Sequence, residues 1–261
     1  MAMAATLLAA APAAAWSPTV HQKVTTEAID TLPKPLKAFY KDHRLEIPSL
    51  GLEATLEEDG PDRRFTADRV TPFPFTDLPR NEAAFKARHA EEAARVGRLP
   101  WLIQEGYAGL VEAFRSGDKA KVLAASDTLA GYVADLDNPL ATTDNFDGQK
   151  TGQHGLWVRF SARFPESMGD RLDLAPEAAR YLDDPNGYAF SMLNGSYVWA
   201  DNVLYEEDLA RRGQSGYSER YYQAFEHRAA ALLKARLSQA AADVGSYWFT
   251  AWTAAGRPEL K

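Results

Sequence analysis

Apolar residues recur along most of this chain at the three- and four-residue spacing of amphipathic helices. In the first such stretch Val24, Ala28 and Thr31 share one face of a helix predicted over about residues 21–31, with Thr19 as its cap. Further helices are predicted over about residues 35–43, 81–97, 100–116, 118–137, 155–163, 186–212 and 218–254. No stretch shows sustained strand alternation with hairpin turns. The pattern therefore predicts one all-α domain, a single-domain multi-helix bundle.

Two stretches interrupt the helical pattern. Residues 45–79 are rich in proline, glycine and acidic side chains, which predicts a long irregular loop. Residues 142–149 form a second, polar loop after Pro139, which ends the preceding helix. Long loops in compact domains are often functional, so both are candidates for lining a site.

Composition narrows the classes of function. The chain has 261 residues, 46% of them hydrophobic and 25% charged, which is ordinary for one large folded domain. Its formal net charge of −7 comes with no basic patch for nucleic acid or anionic lipid. It has no cysteine, which excludes disulfides, iron–sulfur clusters and thiol nucleophiles. No segment after the N-terminus reaches the ~18 apolar residues of a transmembrane span.

The first fifteen residues, MAMAATLLAAAPAAA, form an apolar run that ends in small residues. This pattern predicts a signal peptide at residues 1–15, cleaved between Ala15 and Trp16, and a mature domain at residues 16–261. The mature protein is then secreted or periplasmic. The alternative is an uncleaved, alanine-rich first helix.

The segment Gly131–Ala141 has the frame of a metal-binding helix. Positions 131 and 135 lie one helical turn apart, the spacing that lets two side chains hold one ion. Asp135 can be such a ligand, but Gly131 has no side chain. A second segment, Gly155–Ser161, again places two positions, 157 and 161, one turn apart.

Together with the N-terminal Trp16-Ser-Pro-Thr-Val-His21, these motifs resemble the zinc-dependent phospholipase C and single-strand-specific nuclease superfamily. The resemblance implies a helical fold of that type, with three zinc ions that act on a phosphodiester. It also implies that the mature chain begins at Trp16, whose amino group and carbonyl bind zinc. In the family a central helix carries His-aromatic-aliphatic-x-Asp followed by Pro-Leu-His, and a later helix carries Leu-His-x-x-aromatic-acid.

Most of the family's ligand positions are vacated here. Histidines are replaced by Gly131, Ala141, Trp157 and, in the divergent loop, Pro74, and an acid is replaced by Ser161. The resemblance leaves Trp16, His21 and Asp135, which in the family serve one zinc, with Asp135 also assigned to catalysis. At most one zinc is therefore expected, and Asp59 and Asp62 are both candidates for a further loop aspartate.

Three hypotheses follow from the sequence. The first is an exported, catalytically degenerate relative of these phosphodiesterases, with a binding or structural role. The second is an active zinc-dependent hydrolase of phosphate esters, phospholipid or nucleic acid, that uses the reduced site. The third is a metal-free helical interaction protein with an uncleaved N-terminus. In that case Trp16 packs in the core, His21 is a capping or surface residue, and Asp135 bonds to backbone or to Arg159.

Overall fold

The computed structural model describes residues 15–44, 46–47 and 60–260. Residues 1–14 of the predicted signal peptide and the candidate ligand Asp59 lie outside this part of the chain. The described residues contain helices and no strand. The helices are α1 (Pro18–Thr31), α2 (Lys34–Asp42), α3 (Glu82–Arg88), α4 (Ala93–Val96), α5 (Leu99–Ser116), α6 (Lys119–Leu136), α7 (Leu156–Val158), α8 (Phe164–Met168), α9 (Pro185–Tyr197), α10 (Ala200–Arg211) and α11 (Glu219–Ala254).

The last helix organises the bundle. α11 has 36 residues, about 54 Å at ~1.5 Å per residue. It packs against α1, α5, α6 and α10, and α5 and α6 also pack against each other. On α11 the ring of Trp248 is fully buried and stacks on Tyr40 of α2 with ring centroids 4.4 Å apart. The all-α, single-domain prediction is confirmed.

Helix starts follow local capping chemistry. The Asp118 side chain accepts a hydrogen bond from the amide of Lys121 at 3.2 Å, which begins α6. Asp184 caps α9 in the same way through the amide of Gly187 at 2.9 Å. Each acceptor satisfies one of the amides that the first turn of a helix leaves without a partner.

The structure differs from the predicted helices in three stretches. Residues 81–97 break at His89, where the chain turns and Glu92 pairs with Arg69, so α3 and α4 are separate. Residues 186–212 break around Val198, which ends α9 before α10 begins. The helix predicted over 155–163 instead runs from α7 through a π-helical turn at Arg159–Arg163 into α8.

The irregular loop after residue 60 crosses the interior. The amide of Phe65 bonds to the carbonyl oxygen of Ala141 at 2.8 Å, and the amide of Thr66 bonds to Val96 at 2.9 Å. A Cβ on Gly97 would lie 2.3 Å from the carbonyl oxygen of Arg64, so only glycine lets the two chain segments come this close. Along this crossing the side chains of Arg63 and Phe65, on either side of Arg64, are fully buried. No helix in the described ranges is both long and apolar enough to cross a bilayer.

Candidate functional site

Asp135, in the last turn of α6, lies at the centre of a buried polar cluster. Its Oδ1 accepts a hydrogen bond from the amide of Ala15 at 3.1 Å, and its Oδ2 accepts one from Arg63 Nε at 2.6 Å. His21 Nε2 lies 2.9 Å from Oδ1. We call Ala15, His21, Arg63 and Asp135 the Asp135 cluster. None of the four is more than 2% exposed.

The charge state of Asp135 follows from these contacts. Burial acts to raise the pKa of this carboxyl, because desolvation disfavours its charged form. The charge of Arg63, the close approach of the His21 imidazole and the hydrogen bond from Arg63 outweigh burial and hold the pKa of Asp135 below its ordinary value. Asp135 is therefore a carboxylate at neutral pH.

The N-terminal segment reaches the cluster through three further contacts. Trp16 donates its indole Nε1–H to the carbonyl oxygen of Ala134 at 2.8 Å, and its ring centroid lies 5.6 Å from that of Phe160. Asn138 Nδ2 donates to the carbonyl oxygen of Ala15 at 2.6 Å. These bonds fix the chain ahead of α1, whose first turn then presents His21 to Asp135.

His21 differs from its neighbours because its side chain makes no aligned hydrogen bond with the described residues. It is 2% exposed. Neither ring nitrogen has a hydrogen-bond partner of normal alignment among the described residues. The contact between Nε2 and Asp135 Oδ1 satisfies the distance of an ion pair but not the angle of a hydrogen bond. His21 is thus a buried imidazole with unused hydrogen-bonding capacity beside a carboxylate.

The positions that the resemblance predicts to be vacated ligand sites are filled by packing. Gly131, Ala141, Trp157 and Ser161 are all buried. The ring of Trp157 meets Phe146 edge-on at 5.7 Å, and the guanidinium of Arg64 lies 4.1 Å from the Phe146 ring centroid.

Two of these positions also join separate parts of the chain. Ser161 Oγ accepts a hydrogen bond from Asn138 Nδ2 at 2.9 Å, and the Ser161 carbonyl accepts one from the amide of Ser17 at 3.1 Å. The Ala141 carbonyl accepts the hydrogen bond from the amide of Phe65. Ala141 and Ser161 thus take part in internal packing and hydrogen bonding.

Of the three residues predicted to bind zinc, only His21 and Asp135 place potential ligand atoms next to each other. His21 and Asp135 meet, but Trp16 contributes its indole nitrogen, and in the uncut chain its main-chain nitrogen is a peptide amide. Within residues 15–44, 46–47 and 60–260 no group of three His, Asp or Glu side chains could hold a metal ion. Arg63 also takes one of the two oxygens of Asp135. As arranged in the uncut chain, these residues do not fit a zinc ion, and the zinc assignment stays a prediction.

The remaining loop candidate lies elsewhere. Asp62 lines a cavity of about 580 Å³ together with Trp101 and Arg98. Its carbonyl oxygen accepts a hydrogen bond from the amide of Arg98 at 3.1 Å.

A second buried network holds the π-helical turn against α10 and α11. Glu207 Oε1 accepts hydrogen bonds from Arg159 Nη2 at 2.9 Å and from the Tyr221 hydroxyl at 3.0 Å. Its Oε2 accepts one from Gln153 Nε2 at 2.6 Å. Burial raises the pKa of Tyr221, as does the neighbouring charge of Glu207. The alternative partner predicted for Asp135, Arg159, is therefore bound to Glu207, while Arg63 pairs with Asp135.

A third network contains two carboxyl groups. Asp137 and Asp243 are buried near each other, and Arg236 Nη2 donates to Asp137. The Tyr188 hydroxyl donates to Asp243 Oδ1 at 2.7 Å. Burial raises the pKa of both aspartates, and for Asp137 the negative charge of Asp243 raises it further. This pair could not be predicted from the sequence, because its members are far apart along the chain.

Arg63 is the central residue that sequence reasoning missed. The only local signal is the doublet Arg63-Arg64 in an otherwise acidic loop. Both arginines point into the interior, where Arg63 meets Asp135 and Arg64 meets Phe146. A buried arginine doublet cannot be distinguished from a solvated one by sequence, because the path of an irregular loop has no periodicity.

No family model matches this chain, and no curated protein matches it. Function must therefore be argued from the geometry of the buried clusters and from the motifs.

Proposed function

We propose that this protein is an exported, catalytically degenerate relative of the zinc-dependent phosphodiesterases, with a binding or structural role. In this proposal the guanidinium of Arg63 supplies the positive charge that a metal supplies in the family. The observation that carries it is the fully buried pair of Arg63 Nε and Asp135 Oδ2, 2.6 Å apart.

Electrostatics supports this exchange of cations. A carboxylate buried as deeply as Asp135 needs a positive partner, because an unpaired buried charge is costly. Arginine is well suited, since its guanidinium stays charged and offers several donors in a fixed geometry. A zinc ion at the same carboxylate would meet the fixed charge of Arg63 at close range. Repulsion between the two cations would therefore weaken zinc binding at Asp135.

The vacated positions support the loss of activity. Metal-assisted hydrolysis of a phosphodiester needs ions with an open coordination position that polarise the phosphoryl group and activate water. Gly131, Ala141 and Trp157 offer no ligand atoms in their side chains. Ser161 offers a hydroxyl that is already bonded to Asn138. The family's second and third zinc ions would have no side-chain donors at these positions.

One observation favours the second candidate, a hydrolase with one zinc. His21 is buried beside Asp135, and its ring nitrogens have no aligned hydrogen bonds. Such a site requires cleavage before Trp16, because only a free amine can serve as the third ligand. It also requires Asp135 Oδ1, which accepts the amide of Ala15 in the uncut chain, to be free for the metal. The third candidate, a metal-free interaction protein with an uncleaved N-terminus, requires neither step.

Three measurements on the exported protein separate these candidates. They are the N-terminal residue by mass spectrometry, zinc per chain by elemental analysis, and turnover of bis-p-nitrophenyl phosphate with added zinc. We expect a cleaved chain, less than one zinc per chain and no turnover. Three zinc ions per chain, or turnover that Asp135→Asn abolishes, would overturn the proposal. One zinc with that loss of turnover establishes the second candidate, and a chain that starts at Met1 favours the third.

A further inference from the structure

Exposed apolar side chains cluster where the loop after residue 72 meets the end of α9. Phe73 is 45% exposed, and its ring stacks on that of Tyr197 with centroids 5.5 Å apart and an angle of 18° between the ring planes. Val198, the next residue after Tyr197, is 50% exposed. Exposed apolar residues that are clustered, with polar residues around them, mark a candidate interaction surface.

Phe75 supports these rings from the interior. It is buried, and its ring packs edge-on against both Phe73 at 5.6 Å and Tyr197 at 4.9 Å. Its backbone is left-handed, with φ of 61°, which is uncommon for a bulky residue. Such a conformation persists where the surrounding packing enforces it, and it is often found at binding sites. Phe73 thus has two ring neighbours that hold it at the surface.

Negative charge lies beside the rings. Asp201 is exposed in the first turn of α10. The carboxylate of Asp68 accepts hydrogen bonds from the Thr143 hydroxyl and the Asp144 amide, both at 2.8 Å. Burial raises the pKa of Tyr197, and the negative charges of Asp68 and Asp201 raise it further, so both carboxylates lie near its hydroxyl. We call Phe73, Tyr197, Val198 and Asp201 the Phe73 surface.

The basic groups near these carboxylates have other partners. Lys150, whose charge acts on Asp68, pairs with Asp144 at 2.6 Å. Arg69 also pairs with Asp144, at 3.3 Å. Neither Asp68 nor Asp201 forms an ion pair with a basic side chain in the described part of the chain. The Phe73 surface therefore has negative charge available to a cation from outside.

The combination of aromatic rings and a free carboxylate suits a planar cation. The face of an aromatic ring attracts positive charge, and a carboxylate beside the ring adds a charge-assisted hydrogen bond. Arginine meets both requirements, because its planar guanidinium stacks on a ring while its edge binds a carboxylate. A lysine ammonium is more strongly hydrated and does not stack. The formal net charge of −7 favours the approach of a basic partner.

We propose that the Phe73 surface binds an arginine side chain of a partner protein. The guanidinium lies against the rings of Phe73 and Tyr197 and pairs with Asp201, and an apolar residue next to the arginine packs on Val198. The surface contains no residue of the Asp135 cluster. The proposal therefore does not depend on whether the protein has lost or kept phosphodiesterase chemistry.

Fluorescence titration of a labelled peptide, Gly-Ser-Leu-Arg-Leu-Ser-Gly capped at both ends, with the full chain tests this proposal. In two comparison peptides citrulline or lysine replaces the arginine. Citrulline keeps the shape of the side chain but carries no charge. We expect saturable binding of the arginine peptide, with affinity at least about fivefold lower for the citrulline peptide and at least about twofold lower for the lysine peptide.

Matched variants assign the binding to the Phe73 surface. Asp201→Asn should weaken the arginine peptide at least about threefold, whereas Asp42→Asn, which removes the same charge at the exposed end of α2, should leave its affinity unchanged. Phe73→Ala should also weaken it at least about threefold, whereas Tyr181→Ala, at an aromatic residue that is 48% exposed, should not. Circular dichroism of each variant shows that a loss of binding is not a loss of folding.

Several results would overturn the proposal. They are the absence of saturable binding of the arginine peptide, equally tight binding of the citrulline peptide, or a variant in the Phe73 surface that binds like its control. Sedimentation with phosphatidylcholine vesicles that depends on Phe73, without peptide binding, would assign the surface to a membrane instead. Dimerisation that depends on Phe73, measured by analytical ultracentrifugation, would assign it to a second copy of this chain.

Discussion

Arg63 Nε lies 2.6 Å from Asp135 Oδ2, and neither side chain is exposed to solvent. The pair joins an irregular loop to the end of a central helix. The Arg63 guanidinium also lies 5.0 Å from the ring centroid of Tyr132, one turn earlier on α6. Arg63 therefore holds the loop against α6 by charge and by contact with an aromatic face.

Replacing Arg63 by methionine should strongly destabilise the fold. The substitution keeps much of the apolar stem but leaves Asp135 buried without its guanidinium. Removing one partner of a buried ion pair typically costs ~3–5 kcal/mol. The free energy of unfolding, measured by urea denaturation at pH 7, should fall by about that amount.

The double variant Arg63→Met/Asp135→Asn tests the cause. Because it removes both charges, it should recover part of the loss, whereas Arg220→Gln on the surface should change stability by less than ~0.5 kcal/mol. A double variant no more stable than the single one would mean that packing, and not charge, is the main contribution of Arg63.

Asp135 should make stability fall in acid. Its pKa is lower in the folded protein than in the unfolded chain, where it is about 3.9. The stabilisation is therefore fully present above the unfolded pKa and is lost as pH falls through the folded pKa. Urea unfolding of wild type and Asp135→Asn between pH 7 and about pH 3 should show a stability difference that shrinks below about pH 4. A difference that stays constant over this range would contradict the lowered pKa.

The Asp137–Asp243 pair should have the opposite pH dependence. Both pKa values are raised by burial, so the folded state holds a proton that the unfolded chain releases above about pH 4. Stability contributed by this pair is therefore greatest at low pH and falls as pH rises toward the folded pKa. Asp243→Asn should remove the like-charge repulsion and flatten this fall between pH 4 and pH 8 in the same urea series. An unchanged slope would argue against a shared proton.

Two adjacent glutamates on α10 offer a matched pair of substitutions. Glu207 is fully buried and accepts hydrogen bonds from three side chains, whereas Glu206 pairs near the surface with Arg228. Glu207→Ala should cost ~3–5 kcal/mol of unfolding free energy and Glu206→Ala less than ~1 kcal/mol. Thermal melting of the two variants side by side measures the contrast. Similar losses would show that the network around Arg159 adds little.

The position of the N-terminal cut should affect stability. Ala15 donates its amide to Asp135 and accepts from Asn138, and both bonds are buried. A chain that starts at Trp16 loses both, so it should be less stable than the uncut chain by ~1–3 kcal/mol. Equal melting temperatures for the two purified chains would mean that the new amine of Trp16 compensates for them.

The sequence predicted the helices well and the polar clusters poorly. Periodicity located α1, α5, α6 and α11 to within a few residues, because each buries one continuous face. The family resemblance, and not periodicity, grouped His21 with Asp135, and the structure places His21 Nε2 2.9 Å from Asp135 Oδ1. Periodicity did not show the break between α9 and α10, since both halves have apolar faces.

Arg63 could not have been predicted, for a physical reason. Its partner lies 72 positions away, and the loop that carries it has no repeating pattern. In the sequence alone Arg159 was an equally reasonable partner for Asp135. Only the crossing of the loop beneath Ala141 and beside Gly97 decides between the two arginines.

The span of the Asp135 cluster along the chain has a kinetic consequence. Arg63 and Asp135 are 72 positions apart, so their contact closes a long stretch of chain. Contacts of such high sequence separation typically form late, after the local helices have been established. A substitution at Arg63 should then change the unfolding rate more than the folding rate. In this way the loop arginine governs how long the native state lasts once it has formed.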